Sequence, residues 1–229
     1  MDPIYFDTET TGLRPEKDRI IEIAAFNPLT GKSFVSLVNP ECSIPPETSA
    51  IHNITDEMVR DAPLFGSVAK EFSDFCGPDA ILIAHNGDAF DRPFLQEEFK
   101  RAQAPFPAWR FIDSLKWARK YRSDLPRHAL QFLREVYGIQ ANQAHRALDD
   151  VIVLHRVFSA MIDDLPLDIV LELMLKKSQA ATRMPFGKHQ GKPLADVPKE
   201  YVKWLQTSGA FERPDNHSLR EEFAKIGYI

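Results

Sequence analysis

The spacing of apolar and polar positions changes several times along the chain. Ile4-Tyr5-Phe6 is a short apolar run that ends on Asp7, and Thr10-Thr11-Gly12 and Arg14-Pro15 then break it. Residues 20–26 are rich in β-branched and apolar side chains, and Asn27-Pro28 closes that run. Residues 33–38 alternate with period two. Three strands within about 40 residues, separated by turn signals, predict an antiparallel meander. Thr55 reads as a helix cap. Helical and strand-like stretches then alternate: helix over 65–75, a short buried strand over 80–84, helix over 88–101, and strand over 109–112. Helices over 113–121, 127–137 and 144–162 follow. The pattern predicts an α/β fold, a mixed sheet flanked by helices, over residues 1–164. Pro166 breaks it, and residues 165–182 read as a short amphipathic helix and linker. Residues 183–229 form a small C-terminal module, too short to be expected to build much core of its own.

Composition narrows the class. The chain has 229 residues, 44% of them hydrophobic, and no apolar run approaches the roughly 20 residues of a membrane helix. The N-terminus lacks the basic stretch of a signal peptide. The two cysteines, Cys42 and Cys76, make neither a metal finger nor a disulfide framework. A cytoplasmic protein without membrane contact is expected. The net charge of −5 argues against a broad basic face, so any contact with nucleic acid must be local or metal-assisted. The charge is uneven: residues 1–164 carry 18 Lys and Arg against 25 Asp and Glu, whereas residues 165–229 carry 10 against 8.

The acids fall at telling places. Asp7 and Glu9 are two apart, so in extended chain they project to one face. Two adjacent carboxylates on a strand are costly unless a cation neutralises them. In His85-Asn86-Gly87-Asp88-Ala89-Phe90-Asp91 a buried strand runs into a helix start. Asp88 has the position of an N-cap with Asp91 three residues on, and either acid could face a site. His145-Arg146-Ala147-Leu148-Asp149-Asp150 opens the long third helix. Asp149 shares the face of His145 if His145 is helical; Asp150 is the alternative if His145 precedes the helix. Each segment offers a carboxylate toward one sheet edge.

These segments resemble the three motifs of the DnaQ-like (DEDDh) 3′–5′ exonucleases. Residues 6–13, Phe-Asp-Thr-Glu-Thr-Thr-Gly-Leu, are similar to motif I. His85-Asn86 with Phe90-Asp91 are similar to motif II, with the three-residue spacing of the TREX-type branch. His145 with Asp150 are similar to motif III, and residues 49–59 resemble the segment between motifs I and II. The resemblance implies an RNase H-like fold and a metal-dependent 3′–5′ exonuclease that releases nucleoside 5′-monophosphates. It implies that Asp7, Glu9, Asp91 and Asp150 hold two divalent ions, Mg²⁺ or Mn²⁺, and that His145 takes a proton from the attacking water. It also implies that Thr10, Thr11, Leu13 and Asn86 contact the terminal nucleotide, with His52 either beside it or a surface residue preceding a helix.

In the C-terminal module, Gly187 to Lys192 suggests a phosphate loop. The spacing is one residue short, however, and Pro193 stands where Ser or Thr belongs. Residues 176–203 carry seven basic side chains against Asp196 and Glu200, interleaved with Phe186, Tyr201 and Trp204. Such a mixture suits a grip on single strands. Lys188 and Lys192 read as nucleic-acid contacts and Trp204 as part of a small core. Phe186-Gly187-Lys188, Gly191-Lys192 and Tyr201-x2-Trp204-Leu205 resemble the C-terminal region of exonuclease X-like proteins. The expected partner is DNA, single-stranded or at 3′ ends. RNA, a homodimer and association with a DNA polymerase stay open. A non-catalytic binding module is disfavoured, because binding alone does not require the complete set of acids with His145.

Overall fold

The computed structural model describes residues 2–140, 147–175, 182–212 and 216–229. The chain divides into two compact units, Met1–Leu171 and Glu172–Ile229. The first contains five strands: β1 (Pro3–Thr10), β2 (Ile20–Asn27), β3 (Lys32–Leu37), β4 (Ile81–Ala84) and β5 (Arg110–Asp113). They form one sheet in the order β3-β2-β1-β4-β5. The β3-β2-β1 half is the predicted antiparallel meander, and β4 and β5 continue it in parallel. The chain therefore changes direction of travel across the sheet at β1, where α/β sheets open a crevice beyond the strand ends.

The helices of this unit are α1 (Pro46–His52), α2 (Asp56–Val59), α3 (Phe65–Cys76), α4 (Asp91–Arg101), α5 (Ser114–Tyr121), α6 (Leu130–Val136) and α7 (Ala147–Ile162), and α8 (Leu167–Leu175) contains the boundary between the units in its sequence. Three differ from the sequence pattern. α1 starts at Pro46, directly after Pro45, where the sequence pattern predicts no helix. The predicted cap Thr55 precedes α2 but makes no side-chain capping bond. α4 begins at Asp91 rather than at Asp88, so Asp88 belongs to the preceding turn and not to a cap.

Alternation along β1 sorts its side chains. Ile4 and Phe6 enter the main core with Phe72, Phe94, Phe99 and Trp109. Tyr5 faces the other way, its ring 4.8 Å from His155 and 6.4 Å from Phe158 on α7. Asp7 and Glu9 continue the Tyr5 row, so both carboxylates share the face covered by α7. Burying the large aromatics on one side and α7 on the other fixes this register, since a slip by one residue would turn both acids into the core.

The second unit has α9 (Lys199–Thr207) and α10 (His217–Lys225). Contrary to expectation it has its own apolar cluster: Met184, Leu194, Val197, Val202, Leu205, Phe211, Leu219 and Phe223. Trp204, expected in that core, is 55% exposed. Tyr201 and Trp204 are three apart on α9, and it is Val202 and Leu205 that turn inward.

Candidate active site

Strand β1 outruns its parallel neighbour. Its last partner on β4 is Tyr5 opposite Ile83, and the following residues project past the end of that strand. There Asp7 and Glu9 on β1 and Asp150 on α7 each bring one carboxylate oxygen within 4.8 Å of the others. The sequence left Asp149 and Asp150 open; Asp150 joins the group. Its Oδ1 accepts a hydrogen bond from Gln131 Nε2 on α6, at 3.1 Å.

Asp91 reaches the same region from the start of α4. It is 2% exposed. Its Oδ1 accepts from Thr8 N (3.1 Å) and from Thr8 Oγ1 (2.8 Å). Where β4 has ended, a carboxylate takes the strand's place as hydrogen-bond partner of β1. Asp88, the alternative in motif II, is engaged elsewhere, with Lys116 Nζ at 2.7 Å and Arg92 Nη1 at 3.5 Å.

The electrostatics show what this convergence costs. The Asp7 carboxyl is held well above the ordinary range, first by burial and then by the charges of Asp91, Glu9, Asp150 and Glu22. Burial also pushes Asp91 up to about 7, against the pull of the two Thr8 hydrogen bonds. Anions gathered in this way are relieved by a divalent cation, and an all-oxygen donor set suits hard ions. The carboxylates of Asp7, Glu9 and Asp150 thus fit a metal centre, with Asp91 adjoining through Asp7.

Two supporting residues escaped the sequence reading. Glu22 pairs directly opposite Glu9 across β1 and β2. It is 1% exposed, and its Oε2 accepts from the N–H of Ala147, the first residue of α7, at 3.2 Å. A buried acid thus meets the positive end of the helix that carries Asp150. A lone acid in the apolar run 20–26 was the signal available. The second is Thr8, placed between the two acids of motif I.

Asp113, which ends β5, shapes the turn that delivers Asp91. Its Oδ1 accepts from Asn86 N (3.1 Å) and from Leu115 N (2.9 Å), capping α5, while Oδ2 accepts from Asp88 N (3.2 Å). Asn86 sits there in the left-handed region, φ 69°, with its side chain exposed. His85 is structural. Its Nε2 donates to the His128 carbonyl (2.9 Å) and its Nδ1 accepts from Ser114 Oγ (2.8 Å). Burial lowers its pKa to about 4.

After β1 the chain turns sharply. Thr10 and Thr11 are buried, and their hydroxyls serve the turn: Thr10 Oγ1 donates to Gly12 O (2.6 Å) and Thr11 Oγ1 accepts from Arg19 N (2.9 Å). Leu13 stands out at 80% exposure. Glu98, 1% exposed on α4, binds this segment through Arg19 Nε (2.7 Å) and Arg101 Nη1 (3.2 Å). Arg101 in turn donates to the carbonyls of Pro15 and Asp18. His52 is not a surface residue; it is 2% exposed, ends α1, and accepts from Ile54 N through Nδ1. His145, the expected proton acceptor, lies outside the described residues.

Comparison with known proteins agrees with this geometry. A family model described as Exonuclease matches residues 4–158, and one described as a putative quorum-sensing-regulated virulence factor matches residues 173–216. The DNA polymerase III subunit epsilon of Treponema pallidum (strain Nichols) is 38% identical over 163 residues, 69% of this chain and 74% of that protein. A PolC-type DNA polymerase III of Staphylococcus aureus is 33% identical over 165 residues, 71% of this chain but 11% of that protein, so the chain spans about a tenth of it. Among solved structures, exonuclease X in complex with 5′ overhanging duplex DNA superposes with a TM-score of 0.60 at 25% identity, over 75% of this chain and 99% of that one. E. coli exonuclease I, bound to zinc and single-stranded DNA, gives 0.64 at 21% identity over 75% of this chain and 43% of that one, a likeness of fold. The chain belongs to this exonuclease family, the DnaQ-like 3′–5′ exonucleases.

Proposed function

We propose that this 3′–5′ exonuclease acts on DNA with two divalent cations, Mg²⁺ or Mn²⁺, held by Asp7, Glu9, Asp91 and Asp150, releasing nucleoside 5′-monophosphates. The observation that carries the reading is the convergence of Asp7, Glu9 and Asp150, one ligand oxygen from each within 4.8 Å of the others. Bound cations would supply water activation and stabilisation of the leaving 3′ oxygen. Asp7 and Glu9, fixed on a strand, set the position of that centre, and Asp91 is locked to it by Thr8. His145 accepts the proton of the attacking water, a task suited to an imidazole whose unperturbed pKa is near 6.5. Leu13, exposed on the turn after β1, meets the terminal base, and Asn86 lies on the substrate side of the β4–α4 turn. Lys188 and Lys192 add phosphate contacts.

The epsilon-subunit relative favours a second reading, in which the same activity serves a DNA polymerase as its proofreader. Among the described residues no helix is long and apolar enough to cross a membrane.

End-labelled single-stranded DNA, duplex DNA and RNA, each with Mg²⁺, Mn²⁺ or chelator, test the proposal. Stepwise loss of 5′-monophosphates from DNA 3′ ends, abolished by chelator, is the expected result. RNA degraded in preference to DNA, or activity that survives chelation, overturns it. A polymerase added to the reaction that raises excision of a mismatched terminus supports the second reading.

A further inference from the structure

We propose that the second unit carries its own binding face for single-stranded nucleic acid, with His189, Tyr201 and Trp204 as a row of rings that stack on bases and Lys188 and Lys192 as phosphate contacts. The inference extends the proposed DNA exonuclease reading, giving its substrate a second hold, and rests on that reading for the choice of DNA.

The face begins as a hairpin. Met184 N donates to Lys192 O (2.7 Å), Gly191 N donates to Met184 O (2.8 Å), and Arg183 pairs with Pro193. Residues 187–190 form its tip. Gly187 has a φ of 75°, and any side chain there would collide with Tyr201 Oη, so the tip lies directly on α9. His189 stands edge-on to Tyr201 at 4.6 Å, and Tyr201 stacks on Trp204 at 5.5 Å and 26°. The row leads outward: His189 and Tyr201 are half-buried, while Trp204 is 55% exposed. A large ring held flat by a neighbour and left in water offers a base a π-face with little conformational freedom to lose.

Cations mark one end of the row. Lys188 and Lys192 are exposed and make no ion pair with any described residue. Both act on the His189 ring, whose pKa is lowered first by desolvation and then by these two charges, which favours its uncharged form. Glu200, one turn before Trp204 on α9, shares the face of that ring, and Lys203 beside Trp204 is exposed as well. This arrangement suits a strand whose phosphates run along the lysines and whose bases lie over the rings on α9. A core role for Trp204 would leave its exposure without purpose, because the eight-residue apolar cluster closes without it. In a chain with a net charge of −5, a small local cationic patch is also the form that a nucleic-acid contact must take.

The test uses the full chain in chelator, so that binding is read without hydrolysis. Anisotropy of a fluorescein-labelled dT oligonucleotide, and of the same strand with abasic positions, is followed across a salt series. Trp204→Ala is expected to weaken dT binding about tenfold or more while leaving the abasic strand unchanged, and Trp204→Phe to restore most of the loss. Lys188→Ala with Lys192→Ala is expected to weaken both strands and to flatten the slope of log affinity against log salt by about 1.4. Should Trp204→Ala fail to give a native melting curve, the lysine pair and quenching of Trp204 fluorescence by dT decide the question. Affinity and salt slope untouched by these substitutions overturn the proposal, as does an equal Trp204→Ala loss on dT and abasic strands. Displacement of dT by polyglutamate with the same Trp204 dependence also overturns it, assigning the face to acidic polypeptides. Hydrolysis separates the two readings. A chain that binds dT through Trp204 but degrades no DNA in Mg²⁺ leaves this face standing and removes the exonuclease proposal. DNA degradation with a KM unmoved in all variants does the reverse.

Discussion

In the first unit the working charges are drawn partly out of water, Asp91 buried and Asp7, Glu9 and Asp150 half-buried, and in the second they are displayed. Asp91 is almost wholly buried and Asp7 is surrounded by four other acids, so both carboxyls are forced upward in pKa. Lys188 and Lys192 stand in water, and Trp204 presents a bare ring. The difference teaches how much folding free energy each kind of site costs. A half-buried anionic cluster opposes the fold until a cation arrives, so the surrounding scaffold must be strong enough to hold it. An exposed ring with lysines costs the fold almost nothing and can sit on a small unit.

The sharpest break of this contrast is Asp7→Asn. Turnover should fall by about 10³-fold or more, the loss expected when several kcal/mol of metal-borne transition-state stabilisation disappears. Yet in chelator at neutral pH the variant should melt higher than the wild type. A carboxyl whose folded pKa is raised favours the fold in its protonated form, and that contribution is lost as pH rises through the folded value. A neutral amide escapes the loss. A lower melting temperature in chelator would show that the cluster is not strained.

The next largest effect is acid sensitivity of the first unit. His85 has a folded pKa of about 4 against an ordinary 6.5, so the fold prefers it neutral. Its contribution is complete above the unfolded pKa and is lost as pH falls through 6.5 toward 4, up to about 3 kcal/mol in all. Urea midpoints at pH 7.5 and 4.5 should therefore separate more in the wild type than in His85→Gln. Equal separations would remove His85 from the account.

The smallest effect is Thr8→Val, which keeps shape and deletes the hydroxyl donor to Asp91. The Mn²⁺ concentration for half-maximal activity should rise about tenfold, as for other groups that orient a metal ligand. The same substitution should leave dT binding in chelator unchanged. If binding fell with it, the hidden and displayed sites would not be separable in this way.

Much of this was legible in the chain. All five strands follow from β-branched runs and turn residues, and the acids of β1 announce themselves because two carboxylates on alternate strand positions are hard to explain otherwise. Asp91 and Asp150 were ambiguous for a physical reason. Asp88 and Asp149 are chemically identical neighbours, and only tertiary placement tells them apart: Lys116 and Arg92 engage Asp88, while Thr8 takes Asp91. The bond from Ala147 N to Glu22 joins residues 125 positions apart, which no local pattern encodes. Trp204 was misread because Tyr201-x2-Trp204 has helical spacing, and spacing shows that two rings share a face without showing whether that face is wet.

The turn that presents Leu13 is riveted to α4 by Glu98 through two arginines, while the leucine itself remains 80% exposed. A hydrophobic tip mounted on so stiff a base has its loop order settled at folding, so, if Leu13 meets the terminal nucleotide as proposed, a strand end would arrive at a finished ridge. Little loop entropy would then be surrendered on docking. Successive nucleotides would encounter an unchanged surface, a useful property for chemistry that repeats itself one residue at a time.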